Sequence, residues 1–321
     1  MTEELDDSAL NALAWDLVHQ LLVDLDEYDV EGVDIGGPGA VLDFGVETIG
    51  SLSAGIALAE ICTSGLLEVR QGSGRLDGVC WDEISVATDH PVEACLLTQY
   101  AGWKLQVGDY FAMASGPMRA AAASESLFEQ LEYREEAFGV VGVLESAAFP
   151  TPDVVAHIAE KCRVTPENVA LLVAPTASLA GNLQIIARSV ETAMHKLFSL
   201  GFDVRRVVAA SGSAPLAPVA ADDLTGIGRT NDAILYGGRV TLWVSGDDES
   251  VEEIGPRVPS SGSPAAGRTF LELFEESGRD FYKIDPHLFS PAEVVFQNIE
   301  TGRVRAWGQV NETLLRKSFG F

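Results

Sequence analysis

The sequence predicts a mixed α/β (α+β) protein built from two α/β domains. Its 321 residues exceed what one hydrophobic core usually supports. Apolar residues make up 47% of the chain and 31 residues are glycine, which is typical of a globular protein with many tight turns. A unit of strand, small-residue turn and helix recurs at 41–62, 107–130 and 171–198. We expect domains at 1–138 and 139–321, with terminal segments able to cross that boundary.

Apolar periodicity and turn residues predict the elements of the first half. Leucine and alanine recur at helical spacing from residue 5 to 28, with acids on the outer face. Pro117 precedes a strongly helical run, as proline often does in the first turn of a helix. In chain order we predict a helix at 5–28, a strand ending at Phe44, a helix at 56–62, short strands between 65 and 91, a helix at 94–102, a strand at 104–116 and a helix at 118–131.

The second half continues the alternation of apolar strands and helices. The segment 246–267 is rich in Ser, Pro, Gly and Glu, so we expect it to be mobile. In chain order we predict a strand at 136–145, a helix at 152–161, a strand at 171–173 with a helix running to 200, a strand at 204–210, a loop at 211–220, a short helix with a loop and two strands in 222–245, a helix at 269–276 and strands between 281 and 310.

The charge balance excludes two classes of partner. With 21 basic and 48 acidic residues the net charge is −27, which repels nucleic acid and anionic membranes. The acids are dispersed and only five of the basic residues are lysines, so we expect the acidic surface of a halophilic-type protein. No apolar run is long enough to cross a membrane, and the acidic start lacks a signal-peptide pattern. We therefore expect a cytoplasmic protein.

Motifs for metal or nucleotide chemistry are absent from the sequence. The four cysteines form no CxxC pair, the five histidines form no HExxH, and no P-loop or GxSxG motif occurs. Three helix-starting turns carry small residues, namely Gly50/Ser51, Ser115/Gly116 and Thr176/Ser178. Each turn could bind an anion or simply cap its helix. We expect catalysis by a carboxylate, without a metal and without a bound cofactor.

The predicted helix that runs to residue 200 carries a narrow polar stripe. At 100° per residue the stripe lies opposite the apolar side of the helix, and it consists of Gln184, Arg188, Glu191 and His195. One interpretation is a solvated face with a weak Arg–Glu pair, and the other is a functional wall. Glu191 with Arg188 is the candidate catalytic pair, and Asp232 and Glu293 are further carboxylates in unusual contexts.

Eight segments between residues 42 and 320 form a set of motifs in a fixed order along the chain. They are LDFGVETIGSLSAG (42–55), TDHPVEAC (88–95), QYAGWKLQVGDYFAMASGPMRA (99–120), VTPENVALLVAPTASLAGNLQIIARSVETAMHKL (164–197), APLAPVA (214–220), GRTNDAILYGG (228–238), FYKIDPHLFSPAEVV (281–295) and VNETLLRKSFG (310–320). Taken together, these segments resemble the methenyltetrahydromethanopterin cyclohydrolase family of one-carbon metabolism.

The resemblance implies a fold, a reaction and a catalytic pair. The fold is two α/β domains with a deep substrate pocket between them, often as a homotrimer. The reaction is the reversible hydrolysis of 5,10-methenyl-tetrahydromethanopterin to the N5-formyl compound, with the pterin as substrate. The family's R-x-x-E motif corresponds to Arg188–Glu191 here. Glu191 would act as general acid and base for water, and Arg188 would orient it and stabilise the intermediate.

The resemblance also implies substrate contacts, to which Gln184 of the stripe is added. They are Ser115, Gly116, Tyr100, Thr176, Ser178, Gln184, Asp232, Phe289 and Glu293. Methanogen-type members have a lysine where this chain has Tyr100, which implies the methylotroph-like pocket or a less negatively charged substrate tail. Two alternatives stay open: a cyclohydrolase of the same fold acting on a tetrahydrofolate-type pterin, and a pterin-binding protein without catalysis.

Overall fold

The structure is a computed structural model that describes residues 9–321, apart from the side chain of Tyr282. The α-helices are α1 (Leu10–Leu21), α2 (Leu25–Tyr28), α3 (Leu52–Cys62), α4 (Met118–Ala122), α5 (Ser126–Leu131), α6 (Pro152–Cys162), α7 (Leu179–Ile186), α8 (Ser189–Ser199), α9 (Asp223–Gly237), α10 (Asp248–Ile254), α11 (Phe270–Glu276) and α12 (Glu312–Phe319). The β-strands are β1 (Glu31–Gly32), β2 (Ala40–Asp43), β3 (Glu68–Leu76), β4 (Val79–Thr88), β5 (Trp103–Val107), β6 (Tyr110–Ser115), β7 (Val140–Glu145), β8 (Val169–Ala174), β9 (Val207–Pro215), β10 (Arg239–Val244), β11 (Glu293–Asn298) and β12 (Val304–Gly308). A π-helix spans Val92–Gln99. The predicted α/β class is confirmed.

The chain forms two compact units, each built from two chain segments. Unit one comprises Met1–Leu66 and Leu96–Gly181, and unit two comprises Leu67–Cys95 and Asn182–Phe321. The boundary predicted between residues 138 and 139 falls inside unit one. The reason is long-range strand pairing, because β7 pairs with β6 on one side and with β8 on the other.

Unit one is a six-stranded mixed sheet with helices on both faces. The strand order is β1-β2-β8-β7-β6-β5, and β8 pairs in parallel with both β2 and β7. Apolar residues of β7 alternate between the two faces. Val140 and Leu144 pack in the core cluster that contains α4 and α6, whereas Val141 and Val143 pack with α1 and α3. The buried apolar runs of β7 and β8 are what a strand covered on both faces requires.

Unit two is a second six-stranded mixed sheet, in the order β12-β11-β10-β9-β4-β3. Only β10 and β11 are parallel among the pairs of this sheet, and β9 pairs antiparallel with both β10 and β4. Helix α8 packs on β9 and β10, and α9 packs against α11 and α12. This sheet supports the start of α8, where the candidate catalytic pair lies.

Two of the predicted elements in unit one divide in the structure. The predicted strand at 104–116 is the hairpin of β5 and β6, because Gly108 adopts φ 57° and turns the chain. The predicted helix at 118–131 ends at Ala122, since Ala123 is left-handed with φ 44°, and α5 follows. The Gly108-Asp109 pair is a turn signal that the sequence does contain, whereas the break at Ala123 has no strong signal, because alanine is the best helix former.

The predicted helix at 5–28 also divides. Within the described residues it forms α1 and α2, separated by Leu22–Asp24, and its residues 5–8 lie outside the described part of the chain. The helices predicted at 56–62 and 152–161 are present as α3 and α6, but α3 begins four residues earlier than predicted and α6 ends one residue later.

The segment 222–245 contains one 15-residue helix and one strand instead of a short helix, a loop and two strands. Gly228 lies inside this helix and allows close helix packing. A Cβ at Gly228 would lie 3.0 Å from the Cβ of Leu271 in α11. Asp222 caps the helix by accepting a hydrogen bond from the Thr225 N–H at 2.9 Å.

Two further helices were not predicted. The segment 246–267, which we expected to be mobile, contains α10, and Asp247 caps this helix by accepting from the Ser250 N–H at 2.8 Å. Near the C-terminus α12 begins after Asn311, whose side chain accepts from the Leu314 N–H at 3.1 Å. Both caps are recognisable in the sequence, since Asp and Asn are preferred at this position.

Candidate active site

The polar stripe does not lie on one continuous helix. Helix α7 ends at Ile186 and α8 begins at Ser189, so the predicted single helix is wrong. Between them Arg188 has φ −88° and ψ 12°, and its N–H donates to the Ile185 carbonyl at 3.0 Å. This i to i−3 bond tightens the chain into a turn. Arg188 thereby becomes the N-cap residue of α8, and Glu191 lies in the first turn.

The stripe is buried. The exposed fractions are 1% for Gln184, 5% for Arg188 and 5% for Glu191, whereas His195 is half-buried. Burying a charge is costly unless neighbours compensate for the lost water. Arg188 Nη2 donates to Gln184 Oε1 at 2.9 Å, and the helix dipole favours a carboxylate in the first turn of α8. The interpretation as a solvated face is therefore excluded.

Cys95 is a neighbour of Glu191 that sequence reasoning missed. It is fully buried and belongs to the π-helix. Burial, together with the negative charges of Glu191 and Glu93, raises the pKa of the Cys95 thiol well above its usual value. The group therefore stays a neutral thiol at neutral pH. Cys95 and Glu191 are 96 positions apart, so no local spacing could reveal that the charge of Glu191 acts on this thiol.

Gly212 determines how closely α8 approaches the sheet. A Cβ at this position of β9 would lie 2.6 Å from Ser189 Oγ and 3.0 Å from Val190 Cγ2. These two residues begin α8 and immediately precede Glu191. Because any side chain at position 212 would push the start of the helix outward, glycine there fixes the height of Glu191 above the sheet.

Ser115 and Gly116 form a rigid turn in unit one. Ser115 is fully buried, with its Oγ 3.4 Å from Cys62 Sγ. Gly116 has φ 92°, and its N–H donates to the Thr98 carbonyl at 2.8 Å. A Cβ at Gly116 would lie 3.2 Å from backbone atoms of Val141 and Val143. The turn therefore requires glycine for both its conformation and its space.

The other two turns considered as anion sites are occupied by their own side chains. Ser51 Oγ accepts from the Ala54 N–H at 2.9 Å, and Ser178 Oγ accepts from the Gly181 N–H at 2.9 Å. Thr176, beside Ser178, is 5% exposed. These hydrogen bonds agree with the capping interpretation for both turns.

Asp43 fills the loop that precedes α3. Its carboxylate accepts four backbone N–H groups, from residues 45, 46, 47 and 48, at 2.6–2.9 Å. Burial alone would raise the pKa of Asp43, but the four donors outweigh it and hold the pKa below its usual value. The protein thus supplies its own anion to the convergent amides of this loop.

Asp232 and Phe289 both lie near the start of α11. Asp232 is fully buried, and its Oδ1 accepts from the Phe270 N–H at 2.8 Å. Burial raises the pKa of Asp232 to about 7, although the Ser318 hydroxyl and the Phe270 N–H act in the opposite direction. The Phe289 ring lies 5.7 Å from the Phe270 ring, in a cluster with Phe281.

Glu293 lines a groove of about 510 Å³ on one face of the unit-two sheet. Strand register arranges the lining side chains in two rows. The first row is Glu293, Arg239, Ser213, Ser85 and Arg70, and the second is Val295, Thr241, Ser211, Ala87 and Glu68. Of the candidate residues in the described chain, Glu293 alone lines this groove.

The candidate residues therefore divide between the two units. Tyr100, Ser115, Gly116, Thr176 and Ser178 belong to unit one, and the other six belong to unit two. Within residues 9–321, no group of three or more His, Cys, Asp or Glu side chains could hold a metal ion. No helix in this same range is both long and apolar enough to cross a membrane.

The chain is similar to known proteins over most of its length. A family model described as "Cyclohydrolase (MCH)" matches residues 9–319. The chain is 48% identical over 285 residues to methenyltetrahydromethanopterin cyclohydrolase of Rhodopirellula baltica, covering 87% of this chain and 86% of that protein. It is 40% identical over 326 residues to the protein of that name from Methylobacillus flagellatus, covering 99% of each. It is 38% identical over 306 residues to that of Methanococcoides burtonii, covering 95% and 96%.

Proposed function

The chain belongs to the cyclohydrolase (MCH) family, and we propose that it reversibly hydrolyses 5,10-methenyl-tetrahydromethanopterin to N5-formyl-tetrahydromethanopterin. The family match covers nearly the whole chain, and relatives that share 38–48% of its residues carry the name of this activity. Such an enzyme is a hydrolase that acts on a C–N bond of a cyclic amidine.

One observation carries the catalytic assignment. Glu191, the last residue of the R-x-x-E motif, lies in the first turn of α8 and is 5% exposed. It directly follows Ser189 and Val190, which pack against Gly212 of β9. A carboxylate held at a buried helix start is suited to proton transfer, because its position is fixed and its surroundings exclude bulk water.

The chemistry requires a base that later acts as an acid. The methenyl bridge is an amidinium cation, so water can add to its carbon once Glu191 accepts a proton from that water. Glu191 then returns the proton to the departing ring nitrogen, the C–N bond breaks, and the remaining hydroxyl proton is released as the formyl C=O forms. The net products are the N5-formyl pterin and one proton, so atoms and charge balance.

Arg188 supports this reaction without taking a proton. Its hydrogen bond to Gln184 fixes the guanidinium between α7 and α8. From the start of α8 it can orient Glu191 and stabilise the developing oxygen of the tetrahedral intermediate. Gln184 then has a positioning role, since it holds Arg188.

An absorbance assay tests the proposed function. The purified protein is given methenyl-tetrahydromethanopterin and, separately, methenyl-tetrahydrofolate, and loss of the methenyl chromophore is followed. We expect fast turnover of the first and slow turnover of the second. Preference for the folate substrate would support the alternative carrier, and binding of either pterin without turnover would support a pterin-binding protein.

We also propose that the pterin is the substrate and that no further cofactor takes part. The resemblance to the family supports this, as it supports a homo-oligomer with a trimer favoured. Light scattering coupled to size-exclusion chromatography measures the assembly directly.

A further inference from the structure

Arg119 is a fully buried arginine of α4 in unit one. Its Nε and Nη2 donate to the two carboxylate oxygens of Glu125 at 2.8 and 2.7 Å. This bidentate geometry satisfies the charge of the guanidinium, which burial would otherwise destabilise. The remaining nitrogen, Nη1, is directed to other acceptors.

Nη1 of Arg119 donates to the end of the π-helix. Its acceptors are the carbonyl oxygens of Leu96 at 3.1 Å and Thr98 at 3.2 Å. The last carbonyls of any helix lack partners within that helix, so a buried end needs an outside donor. The Thr98 carbonyl also accepts from the Gly116 N–H at 2.8 Å. One carbonyl therefore links Arg119 to the turn at Gly116.

The same guanidinium stacks on Tyr100. Its central carbon lies 5.2 Å from the centroid of the Tyr100 ring and 5.3 Å from that of Phe128. Gly102 packs directly against Tyr100 and Glu125, since a Cβ at this position would lie 2.0 Å from Glu125 Oε2 and 2.5 Å from Tyr100 Cε1. The ring of Tyr100 is thus oriented by a buried cation and by a turn with no room for a side chain.

We propose that Arg119 is a positioning residue that fixes Tyr100 and the Gly116 turn for pterin binding. The inference rests on the proposed function, in which Tyr100 and Gly116 contact the substrate. Arg119 has no exposed surface, so it acts through the Tyr100 ring and the Thr98 carbonyl. Its loss should therefore weaken substrate binding and leave the proton transfer assigned to Glu191 largely intact.

Two single variants and a matched control test this role by steady-state kinetics with methenyl-tetrahydromethanopterin. Arg119→Lys keeps the positive charge but cannot form the bidentate hydrogen bond to Glu125. Glu125→Gln removes the ion pair by changing the partner that is partly exposed. Arg206→Lys is the control, because Arg206 stacks on Phe202 at 4.8 Å and donates to the Ser245 and Asp247 carbonyls at 2.8 Å, in unit two. All assays are run well below the melting temperature of each variant.

We expect KM to rise about tenfold in Arg119→Lys and about threefold in Glu125→Gln, with kcat within about twofold of the wild type. Arg206→Lys should lower the melting temperature and leave KM unchanged. If Arg119 acts through Tyr100, then Tyr100→Leu should raise KM by itself, and adding Arg119→Lys to it should raise KM little further.

An unchanged KM in Glu125→Gln and in folded Arg119→Lys, measured with an active wild type, overturns the inference. A fully additive double variant overturns the route through Tyr100. If Arg119→Lys does not fold, the test rests on Glu125→Gln and Tyr100→Leu: a raised KM in both supports the positioning role of Arg119, and an unchanged KM in Glu125→Gln overturns it. A wild-type protein that turns over no pterin overturns the proposed function itself, and this inference with it.

Discussion

Gly212 of β9 lies directly against Ser189, the first residue of α8, at a distance that leaves no room for a Cβ. Ser189 is fully buried, and within the described residues its hydroxyl has no hydrogen-bond partner, so packing rather than polar bonding sets this contact. The helix start that carries Arg188 and Glu191 is therefore positioned by the sheet beneath it. Side chains at position 212 can displace the catalytic pair without touching it.

Enlarging residue 212 should lower turnover in proportion to size. We expect kcat to fall modestly in Gly212→Ala, because a methyl group displaces the start of α8 only slightly, and about tenfold or more in Gly212→Val. Gly72→Val is the matched control, since Gly72 is also a strand glycine but nothing lies within 4 Å of its Cβ position. A Gly212→Val protein with wild-type kcat would show that the contact does not position Glu191.

Glu191→Gln should keep the fold and lose most of the activity. The amide matches the carboxylate in shape but cannot accept a proton from water, so kcat should fall by about 10²- to 10⁴-fold. Glu249→Gln is the control, because Glu249 is an exposed carboxylate in the first turn of α10. Circular dichroism checks the fold. Near-normal turnover in Glu191→Gln would show that Glu191 is not the general acid and base.

Asp232 should make stability decrease as pH rises from about 4 to 7. Burial raises its pKa from the ordinary 3.8 to about 7, so the folded state binds a proton over this range that the unfolded state releases. Relative to wild type, Asp232→Asn should be more stable at pH 8 than at pH 4, by up to about 4 kcal/mol.

Denaturant unfolding at both pH values measures this difference. Asp109→Asn, which replaces an exposed carboxyl in the β5–β6 turn, serves as the control for the loss of one carboxyl group. Equal effects of Asp232→Asn at pH 4 and pH 8 would refute the coupling.

Asp43 should have the opposite pH dependence. Its four backbone donors hold its pKa below 3.8, so its stabilisation is present above that pH and is lost as the pH falls further. Asp43→Ala should lower the free energy of unfolding at pH 7 by about 2–4 kcal/mol, because those N–H groups lose their acceptor. Asp34→Ala is the comparison, as Asp34 accepts one N–H, from Gly36, at 2.8 Å in an exposed turn. Similar losses in the two variants would count against the loop-filling role of Asp43.

Salt should stabilise the folded protein. A net charge of −27 destabilises the compact state by self-repulsion, and raising the ionic strength from 0.1 to 1 M shortens the Debye length from about 10 to 3 Å. We expect the melting temperature to rise over this range. A melting temperature that stays constant would contradict the high-salt origin inferred from the composition.

Sequence signals within a few residues predicted those helices whose starts depend on neighbouring residues. Helices α3 and α6 have apolar periodicity and turn residues at their starts, and both were found close to the predicted positions. The break at Ala123 and the turn at Arg188 were missed, because alanine and arginine are good helix formers. In the segment 222–245 a loop was predicted where α9 is continuous, and Gly228 of that helix leaves the space for its contact with Leu271.

The candidate site shows the same division. Spacing brought Gln184, Arg188 and Glu191 to one stripe, and the structure joins Arg188 to Gln184 by a hydrogen bond. Spacing could not tell a buried stripe from a solvated one. That difference depends on what covers the helix, which is a property of distant parts of the chain.

The sequence by itself determined the α/β class, several helix starts and the resemblance to a cyclohydrolase. Each of these depends on apolar periodicity, on capping residues or on short motifs, which involve only residues close together in the chain. Only the tertiary structure decided that Glu191 is buried next to Cys95, that Gly212 supports the start of α8, and that Arg119 ties Tyr100 to the π-helix. These relationships join residues about 20 to 100 positions apart, and strand pairing and core packing create them when the chain folds.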